Sequence, residues 1–364
     1  MYDEDIALLR CPETMEPLAL VEASLRDEDG EILTGTLRGV SQGKTYPIEN
    51  GIPRFTEKTG YNRTWDFKWT RIDRGRGLNY RMIDPDHPSG MQYDNIYDRN
   101  AYDGRALRHM RDRLVLDIGC GVGQYAIRTL RDSGAAKVVG MDLTRGVDMF
   151  RKIMLERFPQ FKRRLLLVQA SVFKVPFASE TFDYVYSLGV LHHTGETREA
   201  IRNACRLVKE GGEVNIWVYA AALRPFEVSE PSHKVPQANW LARNVKQVGK
   251  ELQLLSMRAW MGLFRRLSNE QSFAIVKLFS SGLWYRLSQM PVINVPCKII
   301  FTTVQDEEAD WRLINNWDGY CNMYAESWSE HELFPVFRDA NIAIKGISDW
   351  RTGFWGRKTA GYYD

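Results

Sequence analysis

Three groups of residues have types and spacings suited to chemistry. The first is Asp117-Ile-Gly119-Cys-Gly121-Val-Gly123, which ends the apolar run from Leu114 to Ile118 and opens a helical stretch. Glycines let backbone approach a ligand closely and tolerate positive φ. The second is Asp142, which closes the run Lys137-Val-Val-Gly-Met141. It stands about 20 residues beyond the loop, where an acceptor for ribose hydroxyls belongs. The third is the pair His192-His193, after the run from Phe182 to Tyr186. Imidazole titrates near neutrality and can take a proton from a reacting group. A dinucleotide site calls for G-x-G-x-x-G with a helix N-terminus free for pyrophosphate. Here the third glycine, Gly123, comes one residue early, and Asp117 sits two positions before the first. A carboxylate is poor company for pyrophosphate and suits an ammonium group. Asp117 and Asp142 together favour a nucleoside with a cationic amino-acid tail over one bearing phosphates.

The elements that must position these groups alternate from 113 to 219. Strand-like runs at Leu114–Ile118, Lys137–Met141, Leu165–Val168, Phe182–Tyr186 and Glu213–Val218 are separated by helical stretches, to about Arg131, over Met149–Arg157 and over Thr197–Leu207. Such βαβ alternation predicts a parallel sheet covered by helices on both faces. Ser329–Asp339 predicts a further helix, and Ile342–Ile347 with Gly353–Lys358 a closing strand pair. Trp217 and Tyr219 alternate with Val218 and share one face of the fifth strand. Either can lie against a ligand or serve as core.

Several stretches are similar to the class I S-adenosylmethionine-dependent methyltransferases. They are Leu114-Val-Leu-Asp-Ile-Gly-Cys-Gly-Val-Gly-Gln124, Val138-Val-Gly-Met-Asp-Leu143, Val175-Pro-Phe177, Phe182-Asp-Tyr-Val-Tyr-Ser-Leu-Gly-Val-Leu-His-His-Thr194 and Lys209-Glu-Gly-Gly212. The resemblance implies an α/β fold, a Rossmann-like seven-stranded methyltransferase sheet with helices on both faces. It implies S-adenosyl-L-methionine as cofactor and S-adenosyl-L-homocysteine as product. Asp117, Gly119, Cys120, Gly121 and Gly123 would pass beside the methionine part, Asp142 would grip the ribose, and Leu143 would pack on adenine. Ser171 stands where the family usually carries an acidic residue near the adenine amino group. That recognition would rest on Ser171 and the backbone of Val172, with Ser187 completing the cofactor set. His192 and His193 fall where the family's acceptor pocket lies. One is a candidate base, or the pair orders the loop without moving a proton. Tyr93, Tyr97 and Tyr102 would close over the cofactor.

Residues 1–56 read as a small β-rich domain, with runs at Leu18–Val21, Glu31–Thr34 and Thr45–Ile48 between turn signals Asp29-Gly30 and Asn50-Gly51. Leu9-Arg-Cys-Pro12, Pro17-Leu18 and Tyr46-Pro-Ile-Glu-Asn-Gly-Ile-Pro-Arg-Phe55 resemble the zinc-ribbon-like activator subunits of some tRNA and release-factor methyltransferases. In that family two Cys-x-x-Cys pairs hold zinc. Their places here are Cys11 and Thr14, then Gly39 and Gln42. Tetrahedral zinc needs four ligands, so no metal is expected and packing must hold the unit. Residues 57–110 are an aromatic-rich helical or loop segment covering the site. Residues 111–222 are the cofactor-binding core, 223–319 a mostly helical cap insertion, and 320–364 the C-terminal helix and closing strands. The helical block carries apolar Leu252, Leu255, Trp260, Leu263, Phe264 and Leu267 among Lys246, Lys250, Arg258, Arg265 and Arg266. It reads as a cap packed on the sheet domain, with membrane-surface contact or dimerisation as alternatives.

The 364 residues are 44% hydrophobic and 26% charged, which excludes disordered and fibrous classes. A net charge of +3 is too balanced to imply nucleic acid as partner. Five scattered cysteines argue against a disulfide framework and for a reducing compartment. No signal-like start and no apolar span of about 20 residues is visible, so a cytoplasmic setting is expected. The function these features point to is methyl transfer to a small molecule such as a sugar, a nucleotide-linked metabolite or a natural-product intermediate. The alternatives are a tRNA or protein methyltransferase, or a non-catalytic cofactor-binding regulator. Oligomeric state is left open.

Overall fold

The computed structural model describes residues 1–41, 43–56, 63–69, 105–220, 240–305, 308–321, 324–348 and 352–361. The chain divides into two compact units, 1–222 with 326–364, and 223–325.

The first unit opens with an antiparallel sheet of β1 (Leu18–Arg26), β2 (Ile32–Gly39), β3 (Thr45–Glu49) and β4 (Ile52–Pro53), in that order. Asn50 and Gly51 join β3 to β4 with φ of 51° and 71°. Two consecutive positive φ values make the tight hairpin turn for which Asn-Gly is suited. The main sheet has seven strands: β5 (Leu114–Ile118), β6 (Lys137–Asp142), β7 (Leu165–Gln169), β8 (Phe182–Leu188), β9 (Val208–Trp217), β10 (Ile342–Ile347) and β11 (Gly353–Lys358). Their order is β10-β11-β9-β8-β5-β6-β7, with β5 to β9 mutually parallel and β11 antiparallel to both neighbours. β5 to β8 are buried almost throughout. Burial on both faces explains why they read as unbroken apolar runs rather than alternating ones. This is the α/β Rossmann-like seven-stranded methyltransferase sheet expected from the sequence.

Strand order reverses at the β5–β8 pair: β6 and β7 build outward on one side, β9 and β11 on the other. Ligands of open α/β sheets bind outside the carboxyl ends of the strands at such a reversal. The glycine loop leaves β5 there, and the segment carrying His192 and His193 leaves β8.

The four-stranded sheet is continuous with this architecture. Arg54 bridges Gln169 in parallel, and the Phe55 N–H donates to the Gln169 carbonyl at 2.8 Å, so the chain leaving β4 runs along the β7 edge. Leu9, Cys11, Leu18, Ile32, Leu37, Tyr46 and Ile48 join one hydrophobic core with Leu116, Val139, Leu166 and Phe177. Buried Arg151 on helix Gly146–Arg157 forks onto Glu31 at 2.7 and 2.9 Å. Lys162 pairs with Asp27 at 2.5 Å and Asp29 at 2.8 Å, and Arg54 pairs with Asp148 at 2.5 Å. At the first cysteine, the Cys11 sulfur lies 3.2 Å from the Tyr46 hydroxyl and 3.5 Å from a Glu13 carboxylate oxygen. Among the described residues no group of three or more His, Cys, Asp or Glu is placed to hold a metal ion, and Gln42 lies outside them. All five cysteines are buried and free.

The second unit is built from helices Trp240–Phe264, Asn269–Phe279, Gly282–Gln289, Asn294–Ile300 and Ala309–Tyr320. Ser268 and Gln271 cap the second helix reciprocally, and the Ser281 side chain caps the third. Phe279, Phe301 and Tyr320 stack successively, with centroids 4.4 and 4.1 Å apart. Buried Asn316 donates to Ser280 and Thr303 and accepts from the Val304 N–H, which satisfies its amide. No described helix is long and apolar enough to cross a membrane.

Boundaries differ from the sequence reading in several places, two of them beside the main sheet. β9 begins at Val208 rather than Glu213, because Val208 already pairs with Phe182 and Lys209–Gly212 bulge out before the ladder resumes at Tyr184 and Glu213. The helix after the glycine loop is α-helical only over Gln124–Arg128 and widens to a π turn over Thr129–Ser133.

Candidate functional site

The glycine loop is fixed by its own backbone and by what packs on it. Gly119, Gly121 and Gly123 have φ of 80°, 53° and 95°, where a Cβ is strained. A Cβ on Gly119 would lie 2.4 Å from the Val190 side chain, and one on Gly123 would lie 2.3 Å from the Phe150 ring. Backbone and side chain therefore meet with no room for more than hydrogen. The N–H groups of Gly119 and Cys120 both reach the Met141 carbonyl, at 2.7 and 3.2 Å. Loop and β6 end thus move as one piece.

Asp142 braces that piece. One carboxylate oxygen accepts from the Gly121 N–H at 2.8 Å; the other accepts from Thr144, at 2.8 Å from its N–H and 2.7 Å from its hydroxyl. Burial pushes its carboxyl above the usual range, and these donors oppose the shift. Asp117 is 2% exposed, and its Oδ2 has no hydrogen-bond partner. Burial drives its carboxyl well up; the Tyr186 hydroxyl opposes this, and the Asp142 charge adds to it. Asp66 joins the group. Its Oδ1 accepts from the Arg145 N–H at 2.7 Å, and burial, then the nearby Asp142 charge, raise it as well. Three carboxyls that resist ionising surround one glycine loop, an environment that a cation would relieve.

Asp66 also places an aromatic residue that sequence reasoning did not assign to the site. It lies on helix Arg63–Phe67, and Trp69, three residues after Asp66, sits over the loop. Atoms of its indole lie 3.2 Å from a Cβ built on Gly121 and 3.1 Å from one built on Gly146. Lys68 stands over the Trp69 ring at 4.3 Å and the Trp65 ring at 5.2 Å. Trp69 falls in the aromatic-rich 57–110 segment expected to cover the site, although no residue type or spacing singled it out there.

The second half of the site lies beyond β8, where Leu191–His193 forms one 3-10 turn. His192 is fully buried, and neither ring nitrogen has a hydrogen-bond partner. Burial, reinforced by His193, lowers its pKa well below the usual imidazole value, so the ring is neutral. His192 lies 3.9 Å from His193 and 3.8 Å from Tyr219, centroid to centroid. Trp65 is 5.0 Å from His193, and Trp217 is 5.7 Å from Tyr219. The Glu326 N–H donates to the His192 carbonyl at 2.9 Å, and its carboxylate accepts from Thr197 at the start of helix Thr197–Arg206. Glu326 thus straps the histidine turn from a distant point in the chain.

The remaining sequence candidates divide. Leu143 is half-buried beside Asp142, and its carbonyl accepts from Gln169 at 3.1 Å. Ser171 turns its hydroxyl to the Phe173 N–H, 3.2 Å away, within its own turn, with Val172 next to it. Cys120 is buried, its thiol raised by burial and then by Asp142 and Asp117. Its sulfur lies toward β6, 3.1 Å from a Cβ built on Gly140. Ser187 is fully buried and donates to the Ile118 carbonyl at 2.9 Å, tying β8 to β5. Tyr93, Tyr97 and Tyr102 lie outside the described residues.

Residues 116–216 match the family model described as a methyltransferase domain. The chain carries a class I S-adenosylmethionine-dependent methyltransferase domain. It is 28% identical over 156 residues to a tRNA U34 carboxymethyltransferase of Hydrogenovibrio crunogenus, covering 40% of this chain and 45% of that protein. It is 26% identical over 196 residues to erythromycin 3''-O-methyltransferase of Saccharopolyspora erythraea, covering 46% and 62%. The match therefore spans between about half and three fifths of those relatives' length. An O-methyltransferase family protein from Burkholderia thailandensis is similar in structure, with 17% identity, a TM-score of 0.42, and coverage of 81% of this chain and 62% of that one.

The residues of the methyltransferase domain fit its cofactor, S-adenosylmethionine. The orphaned Asp117 oxygen, the acidic surroundings and the glycine cradle suit a ligand with an ammonium and a sulfonium charge. They do not suit a pyrophosphate.

Proposed function

We propose that the chain transfers a methyl group from S-adenosylmethionine to a small-molecule acceptor. The observation that carries the reading is the pairing, at the β5–β8 reversal, of an acid-lined glycine loop with a buried neutral imidazole. When bound, the cofactor supplies a methyl on positively charged sulfur that a nucleophile attacks in line. Asp117 and the loop from Gly119 to Gly123 receive the amino-acid part, Asp142 the ribose, and Leu143, Ser171 and Val172 the adenine. His192 takes the acceptor's proton, with His193 as the adjacent alternative. Both of its ring nitrogens lack a protein partner, so one can meet an acceptor's hydroxyl; burial disfavours the imidazolium, so the ring takes the proton only as the methyl is transferred. Trp65, Trp217 and Tyr219 supply aromatic walls that exclude water and align the reacting atoms.

The enclosed aromatic surroundings of His192 favour a small acceptor. Similarity to a protein named as an O-methyltransferase of erythromycin agrees with that reading. Similarity to proteins named as tRNA U34 carboxymethyltransferases supports the second reading, transfer to RNA. Incubation with tritiated S-adenosylmethionine and size-fractionated cell extract separates them. Label in the small-molecule fraction is expected; label confined to RNA or protein refutes it.

A further inference from the structure

The second unit exposes apolar side chains far out of proportion to its size. Among the described residues, eleven of eighteen exposed large apolar side chains lie between Val248 and Ile300. On helix Trp240–Phe264 they form one stripe. Val248, Leu252, Leu255, Ala259 and Leu263 are all exposed and recur at helical spacing. The stripe borders the edge where Ser256 and Trp260 donate to the Ile300 carbonyl, at 3.1 and 2.6 Å. Ile300, exposed at the end of helix Asn294–Ile300, therefore extends it. Just before that helix the turn Met290-Pro-Val-Ile293 protrudes, with Val292 85% exposed.

The same stretch is strongly basic. Residues 240–305 hold nine Lys and Arg against two Asp and Glu, a net of +7 in a chain whose total is +3. Arg258, Arg266, Lys277, Arg286 and Lys298 are exposed among the apolar side chains. An exposed apolar patch this extensive marks an interaction surface. Its charge selects the partner, because two copies meeting through it would bring the exposed cations of one face, Arg258, Arg266, Lys277, Arg286 and Lys298, against the same five of the other. Apolar side chains that enter the acyl boundary, ringed by cations that meet headgroups, are what an anionic bilayer surface binds.

We propose that the 240–305 surface docks the protein on anionic membranes, with Val292 and the leucine stripe entering the interface and the surrounding Lys and Arg meeting lipid phosphates. The proposal is independent of the acceptor's identity. Co-sedimentation of the full chain with vesicles of phosphatidylcholine alone, and of phosphatidylcholine mixed with phosphatidylglycerol, tests it. Binding is expected only with phosphatidylglycerol present, and it falls as salt rises. Arg258→Glu with Arg266→Glu weakens it about tenfold or more, each basic residue near such a surface contributing about fivefold. Val292→Ser weakens it while leaving the urea midpoint unchanged, which controls for folding. Absence of vesicle binding at low salt, or equal binding with and without phosphatidylglycerol, overturns the proposal. So does a dimer in sedimentation velocity that Leu252→Glu splits, since the face then belongs to a second copy.

Discussion

At the residue scale, the site depends on groups held in an unfavourable state. Asp117 and Asp142 have folded pKa values raised above those of the unfolded chain, chiefly by burial. The folded chain therefore binds more protons than the unfolded one across and above the carboxylate range. The stability linked to them is full at low pH and is lost as pH rises through their folded pKa. Asp117→Asn should flatten that loss in urea titrations of the ligand-free protein between acid and neutral pH. An unchanged slope would remove Asp117 as its source. The same carboxyl should ionise when a cationic cofactor binds, so calorimetry in buffers of different ionisation enthalpy should register proton release. His192 makes a kinetic prediction. His192→Gln should lower the transfer rate by about 10²–10⁴-fold, the usual contribution of a general base. His193→Gln should retain the wild-type pH profile. If both variants keep wild-type rate and profile, the histidines only order the turn.

At the scale of elements, the buried pair between Arg151 and Glu31 ties helix Gly146–Arg157 to the N-terminal sheet. Arg151→Ala would remove the fork on Glu31, 3% exposed at its side chain, and leave it the Met1 ammonium at 2.9 Å; it should cost about 1.5–3 kcal/mol in urea unfolding, the range for a hydrogen bond to a charged group. A cost under about 1 kcal/mol would mean the sheet is held by its apolar contacts alone. All seven strands of the main sheet were legible, and three of them to the residue: Leu114–Ile118, Ile342–Ile347 and Gly353–Lys358 fall where their apolar runs placed them. Doubly buried strands have no polar face to blur the pattern. The N-terminal strands run past their expected ends, to Arg26 and Gly39, because one face is solvated and its polar residues dilute the signal. The glycine loop and Asp142 were legible because their spacing is local. Trp69 over the loop and Glu326 behind His192 were not, since each reaches the site through tertiary contacts across a large separation in the chain. Ser187 matched by position, yet its hydroxyl serves the sheet.

At the scale of the whole molecule, two compact units carry different physical signatures. One has a doubly covered sheet with an acid-lined crevice at its strand-order reversal. The other has a helical surface rich in cations and exposed aliphatic side chains. The cofactor chemistry rests on the first alone. Its central claim is that the crevice selects a sulfonium nucleoside over a phosphate-bearing one. Equilibrium calorimetry of the full chain with S-adenosylmethionine and, separately, with NAD is the most direct test. S-adenosylmethionine should bind and NAD should not, and Asp142→Ala should weaken the former by on the order of 1–3 kcal/mol, the cost of leaving polar groups unpaired. Binding of NAD with no detectable heat from S-adenosylmethionine would contradict the account.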